Sequence, residues 1–236
     1  MEKGKKLYEG KAKIIYATEE PDKVVIYFKD DTTAFDGVKK EQIAGKGVIN
    51  NTISSLIFEL LQKRGIPAHY IKKLSDREML AYRVEIIPVE VVVRNYAAGS
   101  FTRRYGIPEG TKLEKPLVET FWKNDELHDP LVCNEHIELL KLADLEDVKK
   151  MKEMALVVND VLKDFFAERN IILVDFKLEF GKTPDGRLVL ADEISPDSCR
   201  LWDAKTMKKL DKDVFRYDLG SLEEAYKEVL KRLENN

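Results

Sequence analysis

Residues 173–181 read LVDFKLEFG, in which Asp175, Lys177 and Glu179 alternate with Phe176, Leu178 and Phe180. A period of two marks a strand, because successive side chains leave opposite faces of a sheet. One face of this strand is apolar, and the other carries acid, base, acid. Pro184-Asp185-Gly186 then signals a tight turn into RLVLADEIS, so the two runs are predicted to pair as an antiparallel hairpin. With Pro184 to Arg187 as the loop, Thr183 pairs with Leu188 and Glu179 falls opposite Asp192. Facing carboxylates on neighbouring strands repel, so something positive belongs between them. Lys177 is one source; a divalent cation held by hard carboxylate oxygens and by substrate phosphates is the other. A slip of one residue would carry Asp192 to the opposite face, and a solvated face with an ordinary ion pair is the plain alternative.

The remaining pattern sets the fold class. KKLYEG, KAKIIYAT and KVVIYFKD, separated by turn residues, read as a small antiparallel sheet. A helix is expected over 48–64, where Ile49, Ile53, Leu56, Ile57, Leu60 and Leu61 recur at helical spacing before Gly65 and Pro67. Strands resume over 68–95, and 97–139 reads as loops around short elements. A long amphipathic helix over 145–169 turns Val148, Met151, Ala155, Val158, Leu162 and Phe165 inward, with Asp144 as its N-cap. A last helix starts at Ser221, which forms a capping box with Glu224. Strands before helices at the N-terminus, with mixed elements after, indicate an α+β fold. No Pro/Gly-rich linker interrupts the chain, so two lobes sharing a cleft are expected rather than independent domains.

Composition excludes several classes. With 40 basic against 43 acidic residues, net charge points to neither nucleic acid nor a membrane surface, and basic contacts to an anionic ligand must be local. No stretch approaches the ~20 uninterrupted apolar residues of a membrane helix, and MEKGKKLYEG lacks the apolar core of a signal peptide; a soluble, cytoplasmic protein is expected. Cys133 and Cys199 are too few for a disulfide framework and are read as reduced, with a single bridge left open.

Two further stretches suit phosphate. In YEGKAKIIY, Gly10, Lys11 and Lys13 at a strand-turn-strand could lay backbone N–H groups and ammonium charges over a nucleotide, although neither the Walker A spacing nor the kinase glycine pattern is present. In IPVEVVVRNYAAGSFTRR, Gly99 permits close backbone approach, Ser100 can cap a helix, and Arg94 offers a fork-shaped clamp for a monophosphate. An exposed turn and a plainly capped helix are the respective alternatives. Further polar clusters surround Asp36, Asp129 with His128, and SPDSCRLWD with Asp197, Arg200 and Asp203.

Taken together, LVDFKLEFG, IPVEVVVRNYAAGS, YEGKAK and SPDSCRLWD, in this spacing, resemble the bacterial SAICAR synthetases, the phosphoribosylaminoimidazole-succinocarboxamide synthases. The resemblance runs from about Leu7 to the final helix. It implies an N-terminal antiparallel sheet lobe like that of a kinase (residues 1–84), a larger α+β lobe (85–236), and ATP in the cleft between. It implies a ligase of purine biosynthesis that joins L-aspartate to carboxyaminoimidazole ribonucleotide (CAIR) through an acyl phosphate, giving SAICAR, ADP and phosphate with Mg²⁺, in a homodimer or larger homo-oligomer. By the same match Lys11, Ala12 and Lys13 would cover the ATP phosphates, and Glu179 and Asp192 would hold Mg²⁺. Arg94, Ser100 and Arg200 would bind the CAIR phosphate, Asp175 and Lys177 would face its ribose and carboxylate, and Asp36 and Asp129 would border the cleft. Lys13, Lys177 and Asp175 are the expected catalytic residues. A small-molecule kinase of related fold is the competing reading, and it differs in the acceptor alone.

Overall fold

The computed structural model describes residues 3–34 and 38–234; Asp36 lies outside them. The three opening segments form β1 (Lys6–Glu9), β2 (Lys13–Ala17) and β3 (Lys23–Phe28), paired antiparallel as their sequences predict. A hairpin of β4 (Asp31–Ala34) and β5 (Lys39–Gln42) leads to helix α1 (Lys46–Lys63). The chain then rejoins the first sheet as β6 (Tyr70–Ser75) and β7 (Glu78–Tyr82), giving the order β1-β2-β3-β7-β6. Ile49, Ile53, Ile57, Phe58 and Leu61 of α1 are buried in one core with Val24, Ile26 and Phe28, the alternate residues of β3. Each such side chain contributes about 1.5–3 kcal/mol on burial, so this face fixes the helix to the sheet.

A second antiparallel sheet follows. It contains β8 (Glu85–Ile86), β9 (Val89–Tyr96), β10 (Lys112–Trp122), β11 (Ile171–Lys182), β12 (Leu188–Ala191) and β13 (Cys199–Asp203), with β11 pairing β9, β12, β13 and β8. Helices α2 (Ser100–Tyr105), α3 (Asn134–Leu139), α4 (Leu145–Ala167), α5 (Asp213–Arg216) and α6 (Leu222–Glu234) complete the larger lobe. The Asp144 side chain accepts from Glu146 N–H and caps α4, and Val148, Met151, Ala155, Val158 and Leu162 face the core as predicted. At the last turn Phe166 rather than Phe165 is fully buried. Ser221 Oγ accepts from Glu224 N–H at 3.2 Å, which is the Ser half of the expected capping box. One hydrophobic cluster runs through both sheets, so the lobes share a continuous core. Among the described residues no helix is long and apolar enough to cross a membrane, and Cys133 and Cys199 are free thiols.

Two expectations are corrected. The segment expected as loops contains β10, an 11-residue strand hidden in sequence by its Lys/Glu content and by Pro116. Proline is tolerated there because β10 is an edge strand, and its register with β9 shifts between Lys112 and Leu117. The hairpin register is also one residue out. Lys182, not Thr183, pairs with Leu188, and Glu179 therefore faces Ala191 rather than Asp192. Thr183 joins the loop instead: its N–H donates to Arg187 O at 3.0 Å and its Oγ1 accepts from Arg187 N–H at 3.1 Å.

Candidate active site

β11 is paired along its length, on both sides at Asp175–Phe176 and at Gly181–Lys182, so its polar residues are held on a rigid floor. At its far end Glu179, 5% exposed, accepts from Lys123 Nζ at 2.6 Å and from Lys177 Nζ at 3.1 Å. Lys177 also donates to Glu90 Oε1 at 2.6 Å. Burial alone would lower the Lys177 ammonium, but the charges of Glu179, Glu90 and Asp192 outweigh it and hold the group above the ordinary lysine range. Burial pushes Glu90 up, against the pull of Lys177.

Asp192 reaches the same cluster despite the register shift. It follows the last residue of β12, where an extended chain would send it to the face opposite Glu179. Its backbone instead turns into the left-handed region, at φ 61°, and its carboxylate takes a short ion pair from Lys13, which also donates to Glu193 at 2.8 Å. Burial would raise the Asp192 carboxyl; Lys13, Lys177 and Lys123 more than offset that and hold it at about 2. The same carboxylates keep Lys13 above the ordinary range against its own burial. Glu179 and Asp192 thus share Lys177 and Lys123 as electrostatic neighbours. The predicted facing of Glu179 and Asp192 does not occur; the left-handed turn instead places Asp192 near lysines that Glu179 also faces.

Lys13 leaves the turn between β1 and β2, closed by Gly10 N–H donating to Lys13 O at 2.9 Å. Ala12 O accepts from Lys29 N–H at 2.8 Å. Lys11 extends from this turn across to Asp125, 2.7 Å away on the larger lobe. Asp129 turns its carboxylate to Asn124 N–H at 2.8 Å, and so braces the loop that presents Asp125.

The near end of β11 is an arginine cluster. Asp175, 3% exposed, accepts from Arg94 Nη1 at 2.6 Å and from Arg200 Nη1 at 3.0 Å. Arg94 Nε donates to Glu119 at 2.6 Å, and its Nη2 lies 3.4 Å from Ser100 Oγ. Ser100 is not the cap of α2; Gly99 is, at φ 57° and ψ −128°, and Ser100 Oγ accepts from Arg104 at 3.0 Å in the first turn. Gly99 lies directly on the Arg200 guanidinium, and a Cβ there would stand 2.6 Å from Arg200 Cζ. Arg200 Nε donates to fully buried Asp213 at 2.8 Å, which also accepts from Arg216 at 2.6 Å. Beside it, burial and the Asp213 charge push Asp211 up to about 7.

The structure therefore groups Lys13, Lys177, Glu179 and Asp192 at one end of β11, and Arg94, Ser100, Asp175 and Arg200 at the other. Sequence reading missed Glu90, Lys123, Glu193 and Asp213. Glu90 did carry a signal, as a lone charge inside the apolar run IPVEVVV.

Known proteins share this sequence and fold. The SAICAR synthetase family model matches residues 6–233. The phosphoribosylaminoimidazole-succinocarboxamide synthase of Persephonella marina is 64% identical over 234 residues, covering 99% of this chain and 98% of that one. The crystal structure of the Ehrlichia chaffeensis synthase superposes with a TM-score of 0.95 at 47% identity, covering 98% of this chain and 99% of that one. A structure of SAICAR synthetase in complex with ADP superposes with a TM-score of 0.93 at 51% identity, covering 97% of each chain. With a family match across both lobes, and relatives of this identity over nearly the full length, the chain belongs to the SAICAR synthetase family.

Proposed function

We propose that the two ends of β11 divide the ligase reaction of the family between them: ATP at the Glu179 end, CAIR along the strand toward Arg200, and L-aspartate entering above. The observation that carries this is the placement of Asp175, Lys177 and Glu179 on one strand. Four residues of strand span about 13 Å, which suits a phosphoribosyl-imidazole lying between an arginine-bound phosphate and a nucleotide. Ser100 and Arg200, with Arg94 beneath them, are assigned to the CAIR phosphate, and Asp175 to the ribose side. The lobes divide at 84/85, where β7 of the first sheet gives way to β8 of the second.

A carboxylate is a poor acyl donor, so the CAIR carboxylate first takes the γ-phosphoryl group of ATP, and the aspartate amine then displaces phosphate. Every ligand is anionic, and the chain's work is to neutralise charge while keeping the reacting groups in line. Lys11, Ala12 and Lys13 on the β1–β2 turn cover the phosphates. Lys177 stays an ammonium by virtue of its carboxylate neighbours, so it stabilises developing negative charge and is not the acceptor of the amine proton. Glu179 and Asp192 fit Mg²⁺: they are hard oxygen donors on the cleft floor, and Mg²⁺ takes one or two carboxylates plus phosphates and water. Among the described residues no three His, Cys, Asp or Glu side chains form a set that could hold a metal, so phosphates and water would have to supply the remaining ligands of an ion held by Glu179 and Asp192. When bound, the ion would neutralise charge on the β- and γ-phosphate oxygens.

The test is ADP release from Mg-ATP and CAIR, with and without L-aspartate, followed by mass analysis of the product. Aspartate-dependent release with a succinocarboxamide product is expected. Multiple-turnover release without aspartate, yielding a stable phosphate ester rather than the labile acyl phosphate, would replace the ligase reading with the kinase one.

A further inference from the structure

Asp192 holds a backbone conformation uncommon for a residue other than glycine, and something must keep it there. The adjoining strand ends at Ala191, so no ladder partner does so. Behind it lies His69, 3% exposed, with Nε2 3.1 Å from Asp192 O. A carbonyl oxygen can only accept, so Nε2 carries the proton in this contact. The ring is itself fixed, edge-on to Phe58 with centroids 5.4 Å apart. Its main chain is clamped too: His69 N–H donates to Leu190 O at 2.8 Å, Leu190 N–H to Pro67 O at 2.9 Å, and Tyr82 N–H to His69 O at 2.7 Å. Residues 67–69 thus join the edge of the first sheet to the end of β12. Lys13, also from the first lobe, holds the Asp192 carboxylate while His69 holds its carbonyl.

We infer that His69 is a positioning residue: its Nε2–H fixes the left-handed turn at Asp192, and so aims the Asp192 carboxylate at the cation site it shares with Glu179. This rests on the metal assignment proposed above. Without the contact, residue 192 relaxes toward extended backbone and its carboxylate turns from Glu179.

The test compares ADP affinity with and without Mg²⁺ by calorimetry. His69→Phe keeps an aromatic ring without the donor, His69→Gln keeps a donor of similar reach, and His69→Asn has a donor too short to reach. Loss of such an outer contact to a metal ligand weakens the metal by about 10- to 100-fold. The Mg²⁺-dependent gain in ADP affinity should fall by that factor in the Phe and Asn variants and return in Gln, with Mg²⁺-free ADP affinity unchanged. A gain within twofold of the parent in Phe or Asn would overturn the inference, as would an equal fall with and without Mg²⁺. If the Phe variant fails to fold, the Asn–Gln pair carries the comparison. If the parent itself shows no Mg²⁺-dependent gain, the metal assignment fails instead. The parent also offers a check that needs no variant: ¹⁵N chemical shifts of the His69 ring should show the Nε2–H tautomer, and an Nδ1–H tautomer would refute the contact.

Discussion

Gly99→Ala should disable the end of β11 proposed to take CAIR while sparing the end proposed to take ATP. The new Cβ would stand 2.6 Å from Arg200 Cζ and 2.8 Å from Nη1. Ordinary contact between such atoms is about 3.5–4.0 Å, so the guanidinium must retreat by about 1 Å. Its bonds to Asp213 at 2.8 Å and to Asp175 at 3.0 Å leave no slack for that. Displacement of a positioning group by 1 Å lowers turnover about 100-fold, and that is the expected fall in kcat/KM for CAIR. KM for ATP should stay within about twofold, because the nucleotide side of the strand is untouched. The backbone of residue 99, at φ 57° and ψ −128°, is strained for alanine, at a stability loss of about 1–3 kcal/mol. Gly106→Ala separates the two effects. Gly106 is also left-handed, at φ 66°, but nothing lies within 4 Å of its would-be Cβ; it should lose stability and keep normal CAIR kinetics. Steady-state kinetics on both variants, with each substrate varied, decides the matter. A Gly99→Ala enzyme with CAIR kcat/KM near the parent's, or with equal losses for CAIR and ATP, would refute the phosphate-end assignment.

Three more outcomes are expected. Glu179→Gln should lower Mg²⁺-dependent turnover by at least about 100-fold, since a metal supplies several kcal/mol of transition-state stabilisation, while circular dichroism shows the fold intact; full activity would end the metal assignment. Lys46, 1% exposed, pairs with Asp197, which also accepts from Tyr226 OH. Lys46→Met leaves that carboxylate buried with the Tyr226 hydroxyl and the nearby Lys212 charge as its remaining support, and should lower the unfolding free energy by about 3 kcal/mol, the low end for a broken buried pair, measured in urea. The pH dependence of stability should show two opposed slopes. Burial pushes His69 down to about 4 from 6.5, so its contribution is complete above pH 6.5 and is lost as pH falls toward 4. Asp211 is pushed up to about 7 from 3.8, so its contribution is complete below pH 3.8 and is lost as pH rises toward 7. Each slope is about 1.4 kcal/mol per pH unit and they overlap in sign-opposed fashion, so the parent should be nearly flat between about pH 4.5 and 6.5. Asp211→Asn should make stability rise with pH across that window; parallel profiles would refute the balance.

What could be read in the sequence was what is encoded within one element. The alternation in β11, the α4 stripe with its Asp144 cap and the first three strands were all legible, because each depends on neighbours a few residues away. β10 was not, because an edge strand half exposed to solvent carries Lys and Glu where an interior strand carries Val and Ile, and its proline reads as a break. The hairpin register failed over one residue. Thr183 can pair in a strand or close a loop with its hydroxyl, and Asp185 and Arg187 at the turn tip the choice toward the loop.

The site was legible to the extent that its residues lie on such elements, and illegible where charge compensation decides their state. Lys13 finds Asp192 across 179 positions, Lys177 finds Glu90 across 87, and Lys123 finds Glu179 across 56. Topology alone sets these pairings, so no local pattern announces Lys123 or Glu193, and the lone charge of Glu90 in its apolar run does not name its partner. A near-balanced net charge of −3 conceals them further, because a cleft built for anions can be neutral when its lysines are matched by its own carboxylates. That matching has a functional consequence. Phosphates entering over Lys11 and Lys13 would compete with Asp125, Asp192 and Glu193 for those ammonium groups, and the released carboxylates would be the ones free to take up a cation. On this reasoning nucleotide and Mg²⁺ bind with mutual support, each relieving the charge that the other leaves unpaired.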